Sequence, residues 1–237
     1  MKENVTNAFD KLSTYYEHED IRYSTYNMYY ERPAMVNLFP KNLEGLKVLD
    51  AGCAAGWYTD YLLSKGAAPT ALDISPEMVE ATKRRTKGNA EVLCVDLSKE
   101  LPFESDTFDL IVSSLTLHYL EDWHKTFEEF SRVLTRDGVF IFSVHHPIMD
   151  ISIQGANCYN DTELLVDHWK RNDELIEVQF YRRPLQDIIN TTNQYFSLVQ
   201  LVEPIPTEQF RELNPTSYQT LMKRPNFLMI KAINSKT

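Results

Sequence analysis

The sequence predicts an α/β fold: a doubly wound, mostly parallel seven-stranded sheet with helices on both faces. Three observations predict it. Short apolar runs alternate with segments of helical period between residues 46 and 147, the signature of successive βαβ units. Runs such as LIV (110–112) and VFIF (139–142) are apolar without interruption, as strands covered on both faces are. Three of the runs end in an acid, at Asp50, Asp73 and Asp96, and in such sheets ligands sit beyond the carboxyl ends of the strands. The chain has 237 residues, 43% of them hydrophobic and 24% charged, which excludes a disordered chain, a collagen-like repeat and a disulfide scaffold. A core of this size needs no covalent staples.

The elements follow in order. Residues 1–44 are polar and tyrosine-rich and read as a helical cap of one or two helices, with Pro33 near a helix start. LKVLD (46–50) is the first strand, and AAGWYTDYLLSKG (54–66) a helix stopped by glycine. PTALD (69–73) is the second strand. ISPEMVEATKRRTKG (74–88) is a helix with Ser75 as N-cap, Pro76 at its first position and Gly88 at its end. AEVLCVD (90–96) and FDLIVSS (108–114) are the third and fourth strands, DWHKTFEEFSRVLTRDG (122–138) an amphipathic helix, and VFIFSVHHP (139–147) the fifth strand. Residues 148–183 break the rhythm with polar loops and one strand-like run, IEVQFYRR (176–183), and read as an insert or lid too short for its own core. PLQDIINTTNQY (184–195) is a helix; FSLVQLVEP (196–204) and RPNFLMIKAIN (224–234) are closing strands. The expectation is one domain in four parts: cap 1–44, core 45–147, insert 148–183 and closing elements 184–237.

Charge and cysteine usage narrow the function. Thirty-four acids against 24 basic residues give a net charge of -10, a poor match to a phosphate backbone, so nucleic acid is not the expected partner. The basic run KRRTK (83–87) sits at a helix end, where it complements the dipole. Cys53, Cys94 and Cys158 are widely spaced and form no CxxC pair, so neither a disulfide framework nor a structural zinc site is expected, and reduced cytoplasmic thiols fit. There is no apolar leader at the N-terminus and no long apolar span. The histidines and acids show no metal-ligand spacing.

VLDAGCAAGWYT (48–59) runs strand, glycine turn, helix, and Gly52 and Gly56 would let backbone approach a ligand at the helix N-terminus. A tight turn alone would explain it too. The run departs from the pyrophosphate fingerprint, with Ala54 where a second glycine often stands. Asp73 ends the second strand, where a carboxylate can accept both ribose hydroxyls of an adenosine, or favour the N-terminus of the next helix. These features leave open a nicotinamide-dinucleotide oxidoreductase and a non-catalytic cofactor-binding module.

VLDAGCAAGWYT, ALDIS, CVDLSKELPFESDTFDLIVSSLTLHYL and RVLTRDGVFIFSVHHP, in this order and spacing, resemble the class I S-adenosylmethionine-dependent methyltransferases, in particular the small-molecule group of the ubiquinone/menaquinone-biosynthesis type. The likeness is strong over residues 46–147, and the LPF-x-x-x-x-FD run (101–109) is its most specific part. It implies a Rossmann-like methyltransferase fold, S-adenosylmethionine as cofactor, S-adenosylhomocysteine as product, and a small-molecule acceptor methylated by in-line displacement. It implies that Gly52, Cys53 and Ala54 lie against the methionine part and that Asp50 supports that turn. By the same resemblance Asp73 grips the ribose, Ile74 packs on the adenine, Asp96 and the backbone of Leu97 read its edge, and the Ser113 carbonyl takes the ammonium. Carboxylates and carbonyls complement a ligand that bears an ammonium, two vicinal hydroxyls and an exocyclic amine.

Methyl transfer asks the protein for alignment and exclusion of water, with a general base when the acceptor must lose a proton. His118, His145 and His146 are the candidates, with His146 and His118 ahead, and neighbouring strand residues face opposite ways. Tyr15, Tyr16, Trp169 and Tyr181 could line the acceptor pocket. Six of the thirteen tyrosines (Tyr15, Tyr16, Tyr23, Tyr26, Tyr29 and Tyr30) fall in the cap, for packing or for lining a cavity. Arg182 and Arg183 could hold an acidic substrate group or be surface charges. The acceptor, the methylated atom and the oligomeric state stay open.

Overall fold

The computed structural model describes residues 2–18, 25–153, 158–171 and 173–235. Tyr23 of the cap cluster therefore lies outside the described residues. Helix α1 (Lys2–His18) is followed by a π-helical turn (Asn27–Glu31) that runs into α2 (Arg32–Leu38), with Pro33 at its start. The alternating core is β1 (Lys47–Ala51), α3 (Trp57–Ser64), β2 (Ala68–Asp73), α4 (Pro76–Thr86), β3 (Glu91–Cys94), β4 (Phe108–Ser114), α5 (His124–Val133) and β5 (Leu134–His145). A short turn of helix, α6 (Pro147–Asp150), leads to the ribbon β6 (Glu163–Arg171) and β7 (Glu174–Arg182). The chain closes with α7 (Leu185–Tyr195), β8 (Ser197–Val202), α8 (Glu208–Leu213), α9 (Pro215–Leu221) and β9 (Phe227–Ile233).

Seven strands form one sheet in the order β3-β2-β1-β4-β5-β9-β8. The first five pair in parallel, and β9 lies antiparallel between β5 and β8. Strand order reverses between β1 and β4, so the chain leaves these neighbours on opposite sides and opens a crevice at their carboxyl ends. One apolar core lies on the face carrying Phe127, Phe130, Phe140 and Phe142; Met35, Tyr58 and Leu62 build the other. The α4 helix starts as its residues dictate: the Ser75 hydroxyl accepts from the Met78 amide and Pro76 fills the first turn.

Several boundaries differ from the sequence reading. The helix expected over 122–138 ends at Val133, and Leu134–Gly138 lengthen β5 by pairing with Phe108 and the end of β9, with Asp137 at φ 62°. An amphipathic period cannot see that pairing, because the partners are distant in sequence. The fifth strand ends at His145, and His146 instead N-caps α6. The third strand stops at Cys94, so Asp96 lies in the loop beyond it, and Asp50 lies within β1. The insert holds two strands rather than one. ELLVDHWKR has little apolar alternation, yet it pairs along its whole length with β7. The ribbon buries Ile176 and Val178 against Ala8 and Leu12 of α1, so the insert shares its core with the cap. Helices α8 and α9 are too short for a visible period.

Candidate active site

The site begins at the turn after β1. Gly52 has φ +87°, open to glycine, and a Cβ there would fall 2.2 Å from the Thr116 hydroxyl. The amides of Gly52 and Cys53 both donate to the Leu72 carbonyl at 2.8 Å, and the Ala54 amide donates to Asp73 Oδ2 at 2.9 Å. The turn is thus fastened to the end of β2. Ala54 has φ 48°, which gives the physical reason a glycine is commoner there. Gly56 (φ 77°) then opens α3.

Asp73 is buried, and its second oxygen accepts from the Ser75 amide at 2.9 Å. Burial pushes its carboxyl up to about 6. A carboxylate has about four acceptor positions, so two backbone bonds leave it able to take further donors from the cavity that it lines. Asp50 is fully buried beneath the turn and accepts from the Thr59 hydroxyl at 2.6 Å; burial, reinforced by the charge of Asp73, pushes it up to about 7. Asp96 accepts from the Ser98 amide and pairs with Lys2 of α1 at 2.6 Å. Burial pushes its carboxyl up, but Lys2 and Ser98 outweigh that and hold it below the usual range.

A cavity of about 750 Å³, a size suited to small-molecule ligands, runs along the carboxyl ends of the strands. Gly52, Cys53, Ala54, Asp73, Ile74, Asp96 and Leu97 line it, so the structure brings these seven expected residues together. Ser113 lies outside its lining: it is fully buried and its hydroxyl donates to the Ala51 carbonyl, while Ser114, Leu115 and Thr116 form the wall. Cys53 is buried and its thiol pushed well up, chiefly by burial, as befits a packing residue.

The three histidines separate cleanly. His146 is buried away from the cavity, with Nδ1 accepting from the Ile148 amide and Nε2 bound to Glu203 at 2.9 Å. It leads no longer, because the strand ends one residue earlier and its ring serves as a helix cap. His118 is also buried outside the lining. Neither ring nitrogen has a partner among the described residues, and burial, with His145 and Arg183 nearby, holds it well below the usual imidazole range. His145 lines the cavity, with Nδ1 3.5 Å from Asp150 Oδ1 and its ring stacked 4.0 Å from that of His118.

Of the acceptor candidates, Tyr16 and Trp169 line the cavity; Tyr15 and Tyr181 do not. Arg182 and Arg183 are spent on structure. Arg182 is buried and donates to the carbonyls of Cys158, Tyr159 and Asp161 and to Glu163. Arg183 donates to the carbonyls of Leu120 and Glu121 and lies over Trp123, and burial pushes it down to about 10. Arg182 points inward by the alternation of β7, while Arg183 lies just beyond the strand, and the loops they hold are invisible in a one-dimensional reading.

Sequence reasoning missed two neighbours in YYERP. Arg32 lines the cavity with its guanidinium 4.4 Å over the Trp57 ring. Glu31 is buried and accepts from Tyr58 (2.7 Å), Ser143 (2.6 Å) and Ser114 (2.9 Å), with burial raising its carboxyl despite these bonds. A charged pair directly before a helix-start proline, inside an aromatic run, was the available signal.

Fold and site together define a crevice at a topological switch point, with Asp73 and Asp96 in its wall. Residues 49–142 match the profile of the methyltransferase-domain family. The chain is 24% identical over 220 residues to the malonyl-[acyl-carrier protein] O-methyltransferase of Legionella pneumophila, covering 89% of this chain and 75% of that one. A solved S-adenosylmethionine-dependent methyltransferase from Mesorhizobium loti superposes with TM-score 0.68 at 25% identity, covering 86% of this chain and 97% of that one. A Listeria monocytogenes protein provisionally described in the same terms superposes with TM-score 0.76 at 25% identity, over 87% and 97% of the two chains. The chain thus carries a methyltransferase domain of the S-adenosylmethionine-dependent kind. No helix among the described residues is long and apolar enough to cross a membrane.

Two outcomes are expected of the turn. Ala54→Gly should stabilise the protein by about 0.5–1 kcal/mol, the left-handed strain relieved less the entropy of glycine in the unfolded chain; the urea midpoint reads it. Asp50 keeps in the folded state a proton that its ordinary value of 3.8 would release, so stability falls as pH rises from about 4 to about 7. Asp50→Asn should flatten that slope in urea titrations at pH 5 and 8, and an unchanged slope would refute the assignment.

Proposed function

We propose that the chain transfers the methyl group of S-adenosylmethionine to a small-molecule acceptor in this cavity, with His145 as the group that takes the acceptor's proton. The single observation that carries the reading is that His145 lines the same cavity as Gly52, Asp73 and Asp96. The cofactor supplies a methyl on a sulfonium, already activated for displacement. Asp73 would accept the ribose hydroxyls, Ile74 would pack on the adenine, and Asp96, in exchange for Lys2, would take the adenine amino group with the backbone of Leu97 at the ring edge. The Gly52–Ala54 turn, braced from below by Asp50 and Thr59, would lie along the methionine part, and Arg32 beside Trp57 would hold its carboxylate.

With that cofactor bound, His145 would take the proton that the acceptor gives up on methylation. The Asp150 carboxylate stands beside the ring, with Oδ1 3.5 Å from Nδ1. Tyr16, Trp169 and the α1 helix exclude water from the reacting atoms. The Legionella relative O-methylates malonyl-[acyl-carrier protein], and its likeness supports an oxygen acceptor.

Asp73→Ala should weaken S-adenosylhomocysteine binding at least about tenfold, on the order of 1.4 kcal/mol, in calorimetric titration. Equal affinity would sink the ribose assignment. Radiolabelled methyl incorporation into a small-metabolite extract tests the reaction. His145→Gln should slow it by about 100-fold with S-adenosylhomocysteine affinity unchanged; an unaltered rate would mean that the acceptor needs no base, as a carboxylate acceptor would not.

A further inference from the structure

Glu31 is an acid that the cap contributes to the cavity wall, at the end of the π-turn. Three hydroxyls from three core elements meet on it. Oε1 accepts from Ser114 at 2.9 Å and from Ser143 at 2.6 Å, and Oε2 accepts from Tyr58 at 2.7 Å. These bonds fix where the carboxylate stands. Tyr58 is the second residue of α3, directly after the glycine turn, and Ser114 is the last residue of β4. The Thr116 hydroxyl lies 2.9 Å from the Ser114 carbonyl oxygen and 3.3 Å from that of Gly52. β2, which ends in Asp73, and β4 flank β1, so Glu31 stands beside the turn on the side away from Asp73.

The three hydroxyls leave this group short of positive charge. A carboxylate has about four acceptor positions, and among the described residues Oε2 takes a single donor, so one position is left. The donors are neutral and do not offset burial, which raises the carboxyl; the neighbouring charge of Arg32 lowers it least of all. Such a group gains most from a donor that carries its own positive charge. On the reading proposed above, on which this inference rests, the cofactor brings one: the ammonium of its methionine end. Ser113, expected to receive that ammonium, is buried outside the cavity wall, and Asp50 lies beneath the turn, also outside the wall. The other acids of the wall stand elsewhere: Asp73 ends β2, Asp96 follows β3, Glu121 and Asp122 precede α5, and Asp167 is on the ribbon.

We infer that Glu31 receives the ammonium of the cofactor's methionine end, so that the cap as well as the strand ends reads the cofactor. The ammonium donates to Oε2, while Oε1 keeps Ser114 and Ser143. Glu31 is thus a cofactor-binding residue supplied from outside the βαβ core.

The test is calorimetric titration of the full chain with three ligands: S-adenosylhomocysteine, its deamino analogue with hydrogen in place of the amine, and its decarboxy analogue with hydrogen in place of the carboxylate. Wild-type protein should bind S-adenosylhomocysteine at least about tenfold more tightly than the deamino analogue. Glu31→Gln should cut that preference to about threefold or less, weakening S-adenosylhomocysteine and the decarboxy analogue and leaving the deamino analogue unchanged. A merely structural role would weaken all three alike, and that result overturns the inference. So does a wild-type protein that does not prefer the amine, or a preference that survives Glu31→Gln. A crystal structure of the wild-type complex with S-adenosylhomocysteine needs no variant: the amine nitrogen should lie within about 3.2 Å of Glu31 Oε2, and an amine bonded only to other groups overturns the inference. Wild-type protein that binds none of the three ligands would strike the cofactor reading itself and this inference with it. That failure is distinguishable from loss of the amine preference alone, in which the ligands still bind.

Discussion

The bonds from the turn after β1 to the end of β2 are the constraint on which the site depends. Two amides converge on the Leu72 carbonyl and a third reaches Asp73 Oδ2, so the left-handed path of Gly52–Ala54 cannot shift without moving the carboxylate. Thr116, after β4, closes against the Gly52 backbone with no room for a side chain. The crevice between β1 and β4 follows from strand order, but its usable depth follows from this turn. Ala54 accepts left-handed strain within it, a local cost that neighbouring structure over-determines.

Buried acids gather around that turn. Asp50, Asp73 and Glu31 are all buried and all pushed up, mainly by the loss of water around them. Such groups weaken the empty protein near neutral pH and gain most from a ligand that brings donors or a positive charge. Glu31 adds a mechanical role: three hydroxyls from α3, β4 and β5 meet on it, which fixes the π-turn and the neighbouring Arg32 over Trp57. The cap is thereby part of the site. Further along, α1 is held in place by Lys2 on Asp96, Ser75 on Asp10, and Arg84 on Glu17.

The acceptor end is assembled from parts that share no local signal. His145 comes from a strand end, Asp150 from the helical turn after it, Trp169 and Arg171 from the ribbon, and Tyr16 from α1. The ribbon reaches this position because Ile176 and Val178 bury against Ala8 and Leu12, an apolar contact between segments more than 150 residues apart. Cap and insert therefore pack together and share one part of the cavity wall.

By itself the sequence determined the order of strands and helices in the core, the glycine turn, and the acids at Asp50, Asp73 and Asp96. Those features rest on local physics: hydrophobic period, capping residues such as Ser75, and backbone freedom at Gly52. It also singled out seven residues that the structure gathers in one cavity wall, because a parallel sheet gathers its strand ends on one side. Only the tertiary structure decided that His145 rather than His146 faces the cavity, since the strand stops one residue earlier than its apolar run suggests. Only it showed Arg182 and Arg183 consumed by backbone carbonyls, and Arg32 laid on an indole in the cavity wall. The physical reason is the same in each case. Where a side chain points, and which partner neutralises it, depends on packing between segments distant in the chain, and no local pattern records that.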